Sequence, residues 1–98
     1  MIIPSLEVAV KYVLSYESSA ELDMEKVGAH FEAHRARWKT FQDQGTLLLI
    51  GPFADPRDGA MAVFTTQEAA EEFAATDPFV LNGVVAAWTI KGWNEVLL

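Results

Sequence analysis

The chain has 98 residues and a formal net charge of −7, from 14 acidic and 7 basic residues, and it contains no cysteine. Its length predicts one domain, spanning residues 1–98. The negative charge argues against nucleic-acid binding because nucleic acids are polyanions. The lack of cysteine excludes disulfides, thiolate metal ligands and thiol catalysis.

The apolar stretches bear on location and on assembly. None approaches the ~20 apolar residues that cross a bilayer, and no signal peptide is recognisable, so a cytoplasmic protein without a membrane partner is expected. Hydrophobic residues make up 51% of the chain. In so short a chain this excess suggests that a partner subunit covers part of the apolar surface.

The N-terminal half predicts a strand followed by a long helix. Apolar and polar residues alternate from Leu6 to Tyr16, which is typical of a strand with one apolar face. Asp23 is a suitable cap for the helix predicted over Met24–Gln44. Gly45 ends that helix, because glycine reaches the left-handed conformation without steric cost.

The C-terminal half predicts a hairpin, a short helix and a last strand. Turn residues at Asp55–Gly59 separate the two hairpin strands. Thr65 and Glu68 have the spacing of a capping box and predict the start of a helix, which ends by Pro78. The remaining strands are predicted over Thr46–Phe53, Ala60–Thr65 and Val84–Trp93.

The predicted order β-α-β-β-α-β is that of an α+β, ferredoxin-like sandwich, in which an antiparallel sheet carries both helices on one face. The central strands are predicted to be apolar on both faces, with Leu47, Leu49, Ala62 and Val63 as examples. An exposed apolar sheet favours association. We therefore expect two protomers to pack back to back as a dimeric α+β barrel.

One member of the apolar stripe along the long helix is polar. His34 belongs to a stripe whose other members are Met24, Val27, Phe31, Trp38 and Phe41. A buried imidazole needs a hydrogen-bond partner, and a backbone carbonyl would be the ordinary one. His30 lies one turn before His34, but no third ligand has the spacing for a metal site, so no metal is predicted.

Asp77 is the second isolated polar signal and stands at the end of the short helix. Taken alone, it is expected to bond local amides in a turn. Because both helices of the predicted fold pack on one sheet face, Asp77 and His34 can converge. A carboxylate that orients an imidazole helps it to remove a proton from a substrate. No serine lies in a nucleophile motif, so these residues favour proton transfer.

Other candidate binding residues carry weaker signals. Tyr12 and Tyr16 share the apolar face of the first strand, where they either pack in the core or place a phenol in a cavity. Gly51 and Pro52 either kink the end of the second strand or let a ligand approach the backbone.

The order of several short motifs resembles the YCII family (YciI-like proteins). The resemblance covers nearly the whole chain. It rests on a histidine before a helix-ending glycine, a Gly-Pro after the second strand and an Asp-Pro-Phe after the second helix. The residues that carry it are His34, Trp38, Phe41, Gly45, Leu47, Leu48, Gly51, Pro52, Ala69, Ala70 and Asp77–Phe79.

The resemblance implies a dimeric α+β barrel with a histidine–aspartate active site, which maps onto His34 and Asp77. One branch of the family is similar to a dehydrochlorinase of chlorinated hydroxyhydroquinones, and the wider superfamily includes muconolactone isomerases. This chain lacks the family's arginine shortly before the histidine, and Trp38 replaces a common leucine, so an aromatic or apolar substrate is expected. The candidate substrate-binding residues are Tyr12, Trp38, Gly51, Pro52 and Phe79.

The sequence therefore predicts a small cofactor-independent lyase or isomerase with His34 as general base and Asp77 as its orienting partner. Its substrate would be a small cyclic or phenolic compound, and the most concrete reaction is elimination of HCl from a chlorinated hydroxyhydroquinone in aromatic degradation. The alternative is a non-catalytic dimeric module that binds a small ligand or a protein, with the two residues as a buried structural pair.

Overall fold

The structure is a computed structural model and describes residues 9–96. It contains the predicted succession of strands and helices, with one additional short helix and a 3₁₀ turn over Pro56–Asp58. The elements are β1 Ala9–Ser18, α1 Met24–Asp43, β2 Leu47–Pro52, β3 Ala60–Phe64, α2 Gln67–Thr76, α3 Pro78–Leu81 and β4 Val85–Glu95. None of the helices in this part of the chain has the length and apolarity needed to cross a membrane.

The four strands form one antiparallel sheet in the order β2-β3-β1-β4. This order confirms the predicted α+β, ferredoxin-like fold. β1 and β3 are the central strands and β2 is an edge strand, so the prediction that Leu47 and Leu49 belong to a central strand is wrong. Leu49 is 68% exposed, because its side chain lies on the sheet face opposite the helices, which no other described element covers.

The core lies between the sheet and the helices. Phe64 on β3 is fully buried and belongs to one cluster with Phe41 of α1 and Phe73 of α2. The rings of Phe41 and Phe73 meet edge to face, with 5.3 Å between their centroids. Phe41 lies about two turns after His34, and Phe73 about one turn before Asp77. Packing of these rings therefore brings the two polar residues to the same side of the sheet.

α1 begins at Met24 as predicted and ends one residue before the predicted Gln44, at Asp43. Asp23 caps the helix by accepting the N–H of Glu25 at 2.9 Å. Gly45 has a φ of 81°, which is the left-handed conformation expected after a helix.

Other boundaries differ from the predictions. The cap of α2 is Thr66 and not Thr65, since the Thr66 hydroxyl accepts the N–H of Ala69 at 3.1 Å. α3 is missing from the prediction because four residues are too few to show a helical period. β4 extends to Glu95. The predicted first strand continues to Ser18, and its predicted start at residues 6–8 lies outside the described residues.

Gly59, directly before β3, is expected to tolerate no side chain. It has a φ of 99°, and a Cβ there would overlap the carbonyl oxygen of Tyr16 on β1. Gly59→Ala should lower the free energy of unfolding by about 2–3 kcal/mol, because both the left-handed strain and the overlap must be relieved. Urea denaturation measures this difference.

Gly28→Ala is the matched control for this prediction. Gly28 lies within α1, and a Cβ there would meet nothing within 4 Å. Alanine favours helix over glycine, so this variant should gain up to about 1 kcal/mol. Equal unfolding free energies of the two variants would contradict the argument for Gly59.

Candidate active site

Asp77 is the centre of the polar network. It joins α2 to α3 and is 0% exposed. Its carboxylate lies within hydrogen-bond distance of three donor groups. Oδ1 accepts the N–H of Phe79 at 3.1 Å and lies 2.7 Å from Nδ1 of His34. Oδ2 accepts the hydroxyl of Tyr16 at 2.7 Å. Both oxygens of this buried carboxylate are therefore hydrogen-bonded, which is the condition for burying a charge.

His34 is held against Asp77 by aromatic rings as well as by its hydrogen bond. Its imidazole stacks on Phe79, with 4.0 Å between ring centroids and 15° between planes, and Phe73 approaches edge-on at 6.1 Å. The His34 side chain remains 11% exposed. When Nδ1 donates to the carboxylate, Nε2 carries the free lone pair of the neutral ring. The imidazole of His34 is thus held in one orientation.

His34 lines a cavity of about 630 Å³. One wall is the stripe of α1, and the other is the edge strand β2 with the start of β3. This position explains why Met24 and Phe31 of the stripe are 60% and 44% exposed. They face the cavity and not the packed core. The volume lies within the range of ordinary small-ligand pockets.

The structure brings most of the predicted site residues together. His34, Trp38, Gly51, Pro52 and Phe79 line the cavity. Asp77 lies behind His34 and is fully buried, so its contact is with the imidazole and not with the cavity.

Tyr12 is outside the lining of the cavity, and the neighbouring Tyr16 is part of it. Tyr12 packs against the core and lies beside Gly92 on β4. Strand alternation puts both tyrosines on the same face, so the sequence pattern contained a signal for each. The two tyrosines differ in their distance from Asp77, because only Tyr16 lies at the level of β1 where its hydroxyl reaches that carboxylate.

Tyr16 stays a neutral hydroxyl in this environment. Burial raises its pKa far above the ordinary range, and the negative charge of Asp77 acts in the same direction. The positive charge of Arg37 opposes this with a smaller effect. Burial and the charge of Asp77 therefore both favour the neutral hydroxyl, which donates to Asp77.

The raised pKa of Tyr16 predicts alkaline instability. An unfolded tyrosine ionises near pH 10, whereas the folded one keeps its proton, so the unfolded state binds fewer protons and stability falls as pH rises. The stabilising contribution of the protonated Tyr16 is complete below about pH 10. Above that pH the free energy of unfolding should fall by up to about 1.4 kcal/mol per pH unit. Urea denaturation between pH 8 and about 11 measures this pH dependence of the free energy of unfolding.

Tyr16→Phe should remove this part of the pH dependence. Lysines also titrate in this range, so the informative quantity is the difference in slope between the two proteins. Parallel slopes would show that Tyr16 ionises as easily in the folded state as in the unfolded state.

Residues 9–96 contain no group of three or more histidine, cysteine, aspartate or glutamate side chains arranged to hold a metal ion.

The fold and the oriented histidine place the chain among ferredoxin-like proteins with a histidine–aspartate pair beside a cavity. The model of the YCII-related domain matches residues 10–94, and the chain belongs to that family. Protein YciI of Escherichia coli O6:H1 is 32% identical over 96 residues, which cover 87% of this chain and 97% of that protein.

Solved structures of similar fold include the following two. One is 5-chloro-2-hydroxyhydroquinone dehydrochlorinase (TftG) from Burkholderia phenoliruptrix AC1100, in complex with 2,5-dihydroxybenzoquinone. It has a TM-score of 0.67 and 17% identity, over 85% of this chain and 92% of that chain. The other is protein SO0527 from Shewanella oneidensis, with a TM-score of 0.53 and 16% identity, over 91% of this chain and 92% of that chain. At these identities the likeness shows the fold.

Proposed function

We propose that this protein is a small cofactor-independent enzyme that transfers protons on a phenolic substrate, with His34 as general base and Asp77 as its positioning partner. The observation that carries the proposal is the bond between His34 Nδ1 and the buried Asp77 carboxylate, with the same imidazole lining a cavity. A fixed carboxylate holds the imidazole in one tautomer and leaves Nε2 to accept a proton.

The most concrete reaction is elimination of HCl from a chlorinated hydroxyhydroquinone. His34 takes a proton from a ring hydroxyl, and the electron pair of the O–H bond moves into the ring. The proton passes from His34 to the carbon that bears chlorine, which gives a non-aromatic ketone. His34 then takes a second hydroxyl proton as the C–Cl bond breaks and chloride leaves with the bonding pair. The product is a hydroxybenzoquinone, and the second proton goes to water.

The cavity suits an aromatic ring. Trp38 and Phe79 line it beside His34, and the opposite wall is largely aliphatic. Flat apolar walls and a few polar groups are typical of sites for small aromatic ligands. The similar dehydrochlorinase is in complex with 2,5-dihydroxybenzoquinone, a ligand of the size and polarity that we propose here.

A panel of chlorinated hydroxyhydroquinones tests this proposal. Each compound is incubated with the purified protein under anaerobic conditions, and chloride release and quinone absorbance are followed together. We expect both to rise above the uncatalysed rate for at least one compound. Binding of these compounds without release of chloride would instead favour the alternative, a non-catalytic binding module.

We also propose that two copies of the chain associate through the sheet face opposite the helices. On that face Leu49 of β2, Met61 of β3 and Trp93 of β4 are 68%, 38% and 47% exposed. Exposed apolar residues of this size on one face are typical of an interface. The expected assembly is the dimeric α+β barrel.

Leu49→Glu is expected to convert the dimer to a monomer, because it places a charge in the apolar interface. Leu81→Glu is the matched control, since Leu81 is 67% exposed but lies on α3, on the helix side. Sedimentation equilibrium measures whether each variant is a monomer or a dimer. A wild-type monomer, or dissociation by both substitutions alike, would contradict this interface.

A further inference from the structure

We propose that Tyr16 is a third member of the site, a positioning residue whose hydroxyl fixes Oδ2 of Asp77 so that Oδ1 faces His34 and the imidazole keeps a single tautomer. This inference rests on the proposed function, since it concerns the base of that reaction. It adds a residue that neither strand alternation nor the family motifs single out.

The bonding pattern of Asp77 carries the argument. A carboxylate can rotate about its Cβ–Cγ bond, and a partial rotation turns the lone pairs of Oδ1 away from Nδ1 of His34. Here the two oxygens have different partners, because Oδ1 meets Phe79 N–H and His34, and Oδ2 meets Tyr16. Rotation would have to break the 2.7 Å bond from the Tyr16 hydroxyl in a site without solvent access. Tyr16 therefore supplies the restraint on the far side of the carboxylate.

Tyr16 is itself held rigidly. It lies on the central strand β1, where its partners are Ala60 on β3 and Trp88 on β4. Tyr16 is only 8% exposed, and Gly59 lies so close to its carbonyl oxygen that no side chain would fit between them. The three members thus come from the centre of the sheet, from α1 and from the junction of α2 and α3. The hydroxyl is the one carried by the sheet.

The surroundings of Tyr16 favour the protonated hydroxyl, which is the form that donates a hydrogen bond. Asp77 and Arg37 are the charged groups that act on Tyr16, and burial with the Asp77 charge raises the pKa of the phenol. The hydroxyl of Tyr16 consequently donates, and Oδ2 of Asp77 accepts. A hydrogen bond to the carboxylate is stronger than one between neutral groups.

The test is the tautomer of His34, read from the ¹⁵N chemical shifts of its ring nitrogens. The chain has 2 histidines and 2 tyrosines, so both sets of signals are simple, and His30→Gln assigns the histidines. In the wild type we expect neutral His34 with its proton on Nδ1. In Tyr16→Phe the population of the other tautomer should rise about fivefold or more. Tyr12→Phe, which alters the other tyrosine of β1, should leave the wild-type signals unchanged.

Unchanged His34 signals in a folded Tyr16→Phe protein would overturn the proposal. If this variant does not fold, a second measurement replaces it. In the Tyr12→Phe protein Tyr16 is the only tyrosine, so biosynthetic fluorotyrosine changes the donor strength of this hydroxyl and of no other. The His34 ring signals should then shift, and their constancy would again overturn the proposal.

These readouts do not depend on turnover. A protein with the expected tautomer behaviour but no chloride release would refute the proposed reaction and leave the role of Tyr16 intact. With an active substrate, Tyr16→Phe should lower kcat about fivefold or more with little change in KM, since the base is misoriented and the cavity is kept. A change in KM alone would count against a positioning role.

Discussion

Replacement of His34 by glutamine is expected to lower the turnover of a chlorinated hydroxyhydroquinone by roughly 10²–10⁴-fold. Glutamine is of similar size, and its amide can still donate to Oδ1 of Asp77, so the carboxylate keeps a partner. It has no nitrogen that takes a proton near neutral pH. The loss should therefore fall on kcat, and the fold should survive. Chloride release and circular dichroism measure the two effects.

His30→Gln is the matched control for this experiment. His30 is the other histidine of the chain and lies on α1, one turn before His34, but it does not line the cavity. Its replacement should leave turnover within about twofold of the wild type, as expected for a residue away from the chemistry. Full activity in a folded His34→Gln protein would exclude His34 as the base.

Asp77→Ala is expected to lower the free energy of unfolding by about 3–5 kcal/mol, because it removes one partner of a buried hydrogen-bonded charge network. The Tyr16 hydroxyl, the Phe79 N–H and the His34 Nδ1–H would each lose their acceptor. The cap of α3 would also be lost. For a domain of this size the melting temperature should fall by more than about 10 °C.

Asp55→Ala provides the control. Asp55 also caps a helical turn and accepts a backbone N–H, that of Arg57, at 3.0 Å. Its side chain is 41% exposed, however, so water can replace it, and the expected loss of stability is much smaller than at Asp77. Thermal and urea unfolding compare the two variants. A loss at Asp77 no larger than that at Asp55 would show that the buried network contributes little stability.

The stability of Asp77 variants does not separate an enzyme from a binding module. The sequence left open whether the His34–Asp77 pair is catalytic or structural, and a stability measurement is the obvious way to decide. In the structure Asp77 has structural partners, Tyr16 and Phe79, whatever His34 does. Its removal should destabilise the protein in either case. Only the loss of turnover in His34→Gln distinguishes the two functions.

The sequence by itself determined the order of elements and therefore the class of fold. Helical and strand periods are local, as are the cap at Asp23 and the left-handed glycine at Gly45, and such signals can be recognised in a single chain. The polar residue within the stripe of α1 was also visible, because His34 interrupts an otherwise apolar period.

Local sequence patterns gave wrong predictions where the structure of a segment depends on contacts with distant parts of the chain. The apolar run of β2 predicted a central strand, but a strand's place in the sheet is decided by which other strands pair with it. Likewise, Met24 and Phe31 have the spacing of core residues, although they face a cavity. The spacing is the same for a packed core and for a pocket wall.

The tertiary structure decided how the site is built. His34 and Asp77 are 43 positions apart, and only the packing of both helices on one sheet face brings Nδ1 and Oδ1 to 2.7 Å. Tyr12 and Tyr16 are equivalent in the alternation of β1. Only Tyr16 lies level with the junction of α2 and α3, where its hydroxyl reaches Asp77. A sequence period assigns a residue to a face, whereas its partner across that face is set by register and helix position.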